Sequence, residues 1–551
     1  MFIGPPPAAM HAMGDKARSK ELMTAAGVPC VPGYHGPDQA EADLLRHASE
    51  VGFPVLLKST KGGGGKGMRI VRTKEEFAAQ LASARQEAAA SFGPGGEVML
   101  VERYVTRPRH VEVQVFADQH GGCVALGERD CSVQRRHQKI LEESPAPGLS
   151  DELRRDLWNK ATKAALAVGY VGAGTVEFIL DRDSGDFFFM EMNTRLQVEH
   201  PVTEAVTDTD LVEWQFRIAA GEHLPLTQDE IARLITERGV AIEARIYAEN
   251  PDRGFLPDSG RLVHLRTPTV DGVGADAMVR IDAGFVQGDV VTEAYDGMIA
   301  KLIVRGPDRP TAIRRLERAL RDYQVVGPST NIDFLQRVCR SAAFLDGDVE
   351  TGFIEKWQAE LFAREEIGGH VFVQAALAVV GEEQGRIGAV GFGATVDERM
   401  VKLRVLARSE AEDDEDVNVV LTRAGQGVYS ATVQRAARDA EHFSSFSTAH
   451  TPCSSSPWST TVTTHFETHL ASTTVIQPPT DLTSATAATP RITVFDSGQR
   501  VDLALAPADW VAAVLGTKDA AASVAAPMPC KVLRNEVAEG DEVEKGDALV
   551  V

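Results

Sequence analysis

The sequence is short of the features that mark several large classes of protein. Its six cysteines, Cys30, Cys123, Cys131, Cys339, Cys453 and Cys530, are scattered without a Cys-x-x-Cys pair, which fits a reducing compartment better than a disulfide framework or a zinc site. Positive charge is in deficit. Against 79 Asp and Glu stand 57 Lys and Arg, a net charge of −22, whereas nucleic-acid binders carry a basic excess. No run of about eighteen apolar residues occurs, so no membrane-spanning helix is expected. The opening MFIGPPPAAMHAMGDKARSK has neither the apolar core of a secretory signal nor an arginine-rich amphipathic presequence, and it starts as though inside a domain. What is left is an ordinary globular composition with length for roughly three or four domains.

From residue 14 to about 355, helical and strand patterns alternate with short loops, as in a large α/β body. DELRRDLWNKATKAALAVGY (151–170) repeats apolar residues at helical spacing, with Ser150 as N-cap. RHVEVQVFAD alternates as a half-buried strand, and RPTAIRRLERALRDY is an amphipathic helix with Pro310 near its start and its arginines on a solvated face. The character changes after 355. EAEDDED (410–416) is expected to be an acidic loop, and 442–489 are so rich in Ser, Thr and Pro that they are expected to be linker or poorly ordered insertion. The final APMPCKVLRNEVAEGDEVEKGDALVV returns to short apolar strands broken by Gly-Asp turns and stops in mid-strand.

Three stretches carry chemistry. KSTKGGGGKGMRIV (58–71) sets four glycines between lysines and between strand-like runs. It is no Walker loop, because Gly67 precedes Met68 and no Ser or Thr is placed for magnesium; it reads as a glycine-rich hairpin, either folding over a nucleotide or simply mobile. In GTVEFILDRDSGDFFFMEMNTRLQVEHPVTE (174–204), a turn near Ser184 sets Glu177 opposite Glu191. Continuing by twos gives Asn193, Arg195, Gln197 and Glu199 on one face, with Met190, Met192, Leu196 and Val198 on the other. Opposed like charges call for a neutralising partner: magnesium or manganese, which take oxygen ligands, or Arg195 as counter-ion on a solvated face. ERDCSVQRRHQKILEESPAP (128–147) gathers Arg129, Arg135, Arg136, His137 and Lys139, a patch for an anionic ligand or an ion-paired loop. His110 and His137, isolated, each read as structural.

Together with MGDK (13–16), these motifs resemble the biotin carboxylase component of biotin-dependent carboxylases, an ATP-grasp family, nearly continuously over residues 1 to about 355. The terminal stretch is similar to the first half of a biotinyl carrier domain. The layout resembles the α subunit of an acyl-CoA carboxylase, of the fungal 3-methylcrotonyl-CoA kind first and the propionyl-CoA kind second.

The resemblance implies an α/β (α+β) fold in parts: 1–13 a remnant of an N-terminal domain, 14–213 the ATP-grasp body with a lid at about 31–104, and 236–345 the biotin carboxylase C-terminal domain. A β-rich linker or subunit-interaction region at 346–522 and half of a biotinyl β-barrel at 523–551 would follow. It implies ATP bound by Lys16, Lys58, Gly64, Gly65, Glu102, Arg103, Tyr104, Val105, His110, Gln134 and His137, and Mg2+ or Mn2+ on Glu177, Glu191 and Asn193. Bicarbonate would lie on Lys139, Arg195, Gln197, Val198 and Glu199, with Glu199 as base and Arg280 stabilising the biotin enolate.

The activity implied is ligation: biotin carboxylated by ATP and bicarbonate through carboxyphosphate, for a separate carboxyltransferase β subunit, in an oligomer of the mitochondrial matrix that degrades leucine. Arg103 stands where family members often have Lys. About a hundred residues that normally precede FIGP are expected to be missing, as is the Met-Lys-Met lysine that accepts biotin. A carbamoyl-phosphate-type ligase and an inactive fragment or assembly subunit are the other readings.

Overall fold

The computed structural model describes residues 2–506 apart from 62–66, 136–137, 270–277, 364, 391–397, 408–413, 426, 437, 454–457 and 479–489, and residue 537 beyond them. Gly64, Gly65, His137, Cys530 and all but one residue of the carrier-like 523–551 therefore lie outside the described residues.

The glycine-rich stretch belongs to a small antiparallel sheet whose strands lie in the order Gly33–Tyr34, Met99–Arg103, Val55–Ser59, Arg69–Val71. The two expected strands about the glycines are present, with Val55 paired to Val71 and Leu57 to Arg69, and the glycines at 62–65 between them lie outside the described residues. Helices Glu41–Val51 and Phe77–Phe92 cover one face, setting Leu44, Leu81, Ala84 and Ala88 against Leu57, Val71 and Met99. Gly67, at φ +68°, lies so close to this helix layer that a Cβ would come within 2.8 Å of Ala88 Cβ, so only glycine fits.

The body is an eight-stranded antiparallel sheet in the order Met278–Ala283, Met298–Gly306, Val240–Tyr247, Gln138–Ser144, Cys123–Arg135, Pro108–Ala117, Gly172–Asp181, Phe187–Asn193. Helices Asp151–Ala167, Leu211–Ala219 and Gln228–Arg238 share one core with Val111, Val113, Val115 and Phe116. As expected, Ser150 caps the first of these, its hydroxyl accepting from Leu153 N–H, and a helix runs over Arg309–Asp322 with Asp308 as N-cap. The strand of RHVEVQVFAD departs from expectation. Its polar set Glu112 and Gln114 is as buried as its apolar set, because the site occupies that side of the sheet.

A second correction concerns the Ser/Thr-rich stretch, whose described residues are strands. Glu441–Pro452, Ser459–His465 and Leu470–Ile476 belong to a closed eight-stranded barrel, with Glu398–Val405, Glu415–Gly425, Val428–Arg435, Arg491–Asp496 and Gln499–Leu505. The helix Gly369–Val390 packs against strands all round it, and every residue from 371 to 380 is buried. The helix supplies the apolar core that the strands lack. Each strand then needs only alternate inward residues, such as Phe446, Val462, Ala471 and Val475, and β-branched threonine suits the pleat. The buried Gln374 amide ties helix to strands, donating to the carbonyls of Val462 (3.0 Å) and Ala471 (3.1 Å). The end of the acidic run starts a strand, where Glu415 pairs with Arg435 and Asp416 with Arg404.

Candidate active site

The small sheet and the body enclose a cleft of about 1590 Å³. Lining it are Lys16, Lys58, Glu102, Arg103, Tyr104, Val105, His110, Gln134, Lys139, Glu177, Glu191, Asn193, Arg195, Gln197, Val198 and Glu199, residues spread over 180 positions of sequence and singled out above.

At the small-sheet end, one carboxylate meets several cations. Glu102, 2% exposed, pairs with Lys58 at 2.6 Å, with Lys20, and with His35 Nε2 at 3.1 Å. Burial, then the nearby Lys16, brings Lys58 down to about 8. Burial and Lys58 hold Lys20 well below the ordinary lysine range, and burial also lowers Lys16. His35 falls to about 4 through burial and then Lys20 and Lys58. Crowded ammonium groups with depressed proton affinity make a pocket that gains by admitting a polyanion. Beside it, the Arg103 guanidinium lies 5.1 Å from the centre of the Phe188 ring.

The opposite end is a closed network. Lys139 Nζ donates to Glu112 (2.6 Å), Glu177 (3.2 Å) and Glu199 (2.5 Å). Glu177 also accepts from Asn193 (2.8 Å) and Gln197 (3.0 Å) and bonds His110 Nε2 (3.0 Å). Behind them Arg129, wholly buried, donates to Glu112, Gln114, Thr175, Gln197 and Thr203 at 2.6–3.2 Å. Burial alone would raise Glu112, but Lys139 and Arg129 outweigh it and bring it to about 2. Glu177 is likewise held far below the carboxylate range against burial, by Lys139 and His110. Lys139 itself, despite burial, is driven well above the lysine range by Glu112 and its fellow carboxylates.

The hairpin register is as expected, with Glu177 paired to Glu191 and Thr175 to Asn193. Glu177 also forms a group with His110 and Glu112 whose ligand atoms lie within 4.8 Å of one another. The carboxylate and amide oxygens of Glu177, Glu191 and Asn193 fit a hard divalent cation such as Mg2+ or Mn2+.

The alternation by twos does not continue. The strand ends at Asn193, and Arg195, Gln197 and Glu199 lie in the turn that leads into the helix His200–Thr207. They reach the cleft from that turn, where Gln197 donates to Glu177 and Glu199 accepts from Lys139, not because they share a strand face. Arg280 is not brought into the cleft lining. Its guanidinium is committed to Asp282 (2.8 and 3.0 Å) and Glu204 (2.7 Å). Arg245 does line the cleft, donating to Glu199 Oε2 at 3.1 Å and Glu142 Oε1 at 2.6 Å. Sequence reasoning passed over Arg245, Glu112 and Lys20. The signal for Arg245 was its alternation with apolar neighbours in AIEARIY.

Residues 15–227 match the family model described as carbamoyl-phosphate synthase L chain, ATP binding domain, and 243–356 the biotin carboxylase C-terminal domain. The second match separates this chain from a carbamoyl-phosphate-type ligase. The chain is 54% identical over 385 residues to methylcrotonoyl-CoA carboxylase subunit alpha, mitochondrial, of Mus musculus, covering 70% of this chain and 52% of the mouse protein. It thus spans about half the length of such relatives. With the biotin carboxylase of a Nostoc species it shares 50% identity over 355 residues, 64% of this chain and 76% of that protein. Among solved structures, the biotin carboxylase domain of Hydrogenobacter thermophilus 2-oxoglutarate carboxylase, in complex with MgADP, ADP and bicarbonate, superposes with a TM-score of 0.61 at 43% identity, covering 66% of this chain and 78% of that one. A biotin carboxylase–ATP complex from Campylobacter jejuni gives 0.60 at 41%, covering 64% and 76%. Sequence motifs, ATP-grasp architecture and both family matches agree: the chain belongs to the biotin carboxylase family.

Proposed function

We propose that this chain carboxylates biotin with ATP and bicarbonate, through carboxyphosphate, as the α subunit of a 3-methylcrotonyl-CoA carboxylase. The observation that carries the reading is that one cleft holds a lysine-rich end suited to polyphosphate and, beyond it, Glu199 gripped by Lys139 and Arg245.

Lys16 and Lys58 would meet the phosphates, with Glu102, Arg103, Tyr104 and Val105 about the base and His110 and Gln134 completing the nucleotide site. Glu177, Glu191 and Asn193 would hold Mg2+ or Mn2+, which draws charge from phosphate oxygens when bound. Lys139, Arg195, Gln197 and Val198 would hold bicarbonate while Glu199 takes its proton, so that the bicarbonate oxygen attacks the γ-phosphate. Arg245 is placed to meet negative charge developing on biotin. Arg280 supports that end through Glu204, on the helix that begins beside Glu199.

The reading divides the chain into an ATP-grasp body at 14–213, a C-terminal domain at 236–345, a subunit-interaction region from 346 and a carrier segment at 523–551. It implies a carboxyltransferase β subunit as partner, an oligomer, and the mitochondrial matrix, in keeping with the names of the relatives. No helix among the described residues is long and apolar enough to cross a membrane. The test is bicarbonate-dependent release of ADP from the purified chain with free biotin. Turnover that Glu199→Gln and Glu191→Gln both abolish is expected; a folded chain without bicarbonate-dependent turnover overturns the assignment for this chain.

A further inference from the structure

Behind Glu199 lies a carboxylate pair for which the chemistry above has no use. Strands Gln138–Ser144 and Val240–Tyr247 run antiparallel with Glu142 and Glu243 as direct partners, and both side chains are completely buried. Glu142 Oε1 accepts from Arg245, but Glu142 Oε2 and both oxygens of Glu243 have no hydrogen-bond partner. The Lys301 ammonium comes only to 3.9 Å from Glu243, since it is bonded to the Val198 carbonyl at 2.7 Å and paired with Asp282 at 3.3 Å.

Five charged or titratable groups among the described residues act on the pair. Lys139 lies on the strand of Glu142 and Arg245 on that of Glu243, Lys301 projects from the next strand, Glu199 from the turn before its helix, and the Cys131 thiol from the strand on the other side. Lys139 is already divided among Glu112, Glu177 and Glu199. Two opposed carboxylates in a dry sheet do not both stay ionised when one guanidinium serves them and Glu199 as well. Arg245 selects Glu142 as the ionised member, which leaves the proton to Glu243.

We propose that Glu243 carries a proton donated in hydrogen bonding to the free oxygen of Glu142, and that this singly charged pair positions Arg245 against Glu199. Cross-strand partners have Cβ atoms about 5 Å apart, a span that two glutamyl side chains close with one O–H···O bond. The perturbed acidities agree with this: burial raises Glu142 to about 7 and raises Glu243 well above the carboxylate range. With one negative charge in the pair, Arg245 divides its guanidinium between Glu142 and Glu199, and Glu199 keeps the partner that holds it in line. A second charge would draw Arg245 back into the sheet.

The functional half of this inference rests on Glu199 acting as the base; the proton on Glu243 does not. Infrared difference spectroscopy of wild-type chain against Glu243→Gln therefore decides the proton whether or not the chain turns over. A protonated-carboxyl stretch, shifted by deuterium oxide and lost in Glu243→Gln, is expected; identical spectra in that region overturn the proposal. For positioning, Glu142→Gln is expected to lower kcat of bicarbonate-dependent ADP release about a hundredfold with little change in KM for ATP. Glu243→Ala should lower kcat about tenfold, and Glu243→Gln, neutral like the protonated acid, should recover most of that loss. A Glu243→Gln chain that shows the infrared loss yet is as slow as Glu243→Ala overturns the positioning role. If Glu142→Gln does not fold, the spectra and the Glu243 variants still decide both halves.

Discussion

The two ends of the cleft are built on opposite plans. At the small-sheet end, Lys20 and Lys58 pair with Glu102 and Lys16 lies near Lys58, all three with depressed proton affinities, so a bound anion would relieve the crowding there. At the far end Lys139, Arg129, Glu112, Glu177 and Glu199 satisfy one another with short bonds. The first is completed by what it binds; the second holds its shape before anything arrives, as preorganised catalysis requires. A ligand-dependent end and a self-sufficient end should respond differently to mutation and to pH.

Lys139→Met should break the self-sufficient end most severely. It leaves three buried carboxylates without their shared cation, and a loss of about a thousandfold in turnover together with about 3–5 kcal/mol of stability is expected from ADP release and denaturant unfolding. Arg129→Lys comes next, at about 2–3 kcal/mol. One ammonium has no fork with which to reach Glu112, Gln114, Thr175, Gln197 and Thr203 together, and full stability in this variant would show that the network is not the scaffold proposed.

The lysine-rich end should answer to pH instead. Lys58, lowered to about 8 from an ordinary 10.5, binds fewer protons folded than unfolded between those values, so its contribution to stability rises with pH across that window. A bound polyanion restores its proton affinity. Nucleotide binding is therefore expected to take up protons near pH 8 to 9 and to weaken with rising pH, by up to about tenfold per unit; calorimetry in buffers of different ionisation enthalpy measures this. Glu112 follows the same sign in an acidic window. Lowered to about 2, it contributes stability above the ordinary carboxylate range that is lost as pH falls toward 2. The smallest effect is expected from Arg103→Lys, which keeps the charge over Phe188 and should change nucleotide affinity by no more than about 1 kcal/mol.

Much of the site was legible because it is local. Glu177 and Glu191 are separated by one hairpin, so alternation and a turn signal sufficed to pair them. Arg245 and the Glu142–Glu243 pair were not legible, because they depend on a strand pairing that joins residues about a hundred positions apart, and no periodicity reports which distant strands meet. Arg195, Gln197 and Glu199 line the cleft, but not through the strand alternation that singled them out, since a polar turn and a polar strand face look alike at a spacing of two. The Ser/Thr-rich stretch misled because its apolar complement lies in the separate helix Gly369–Val390.

That enclosed helix also bears on how the chain reaches its fold. It precedes every strand of the barrel in synthesis, buried throughout 371–380 and apolar there except for Gln374, and the barrel shuts only when Leu403 pairs with Leu505. Contacts so far apart form late. Until they do, the nascent chain carries an unwrapped greasy rod, and its greatest exposure to aggregation is expected before the last strand emerges from the ribosome.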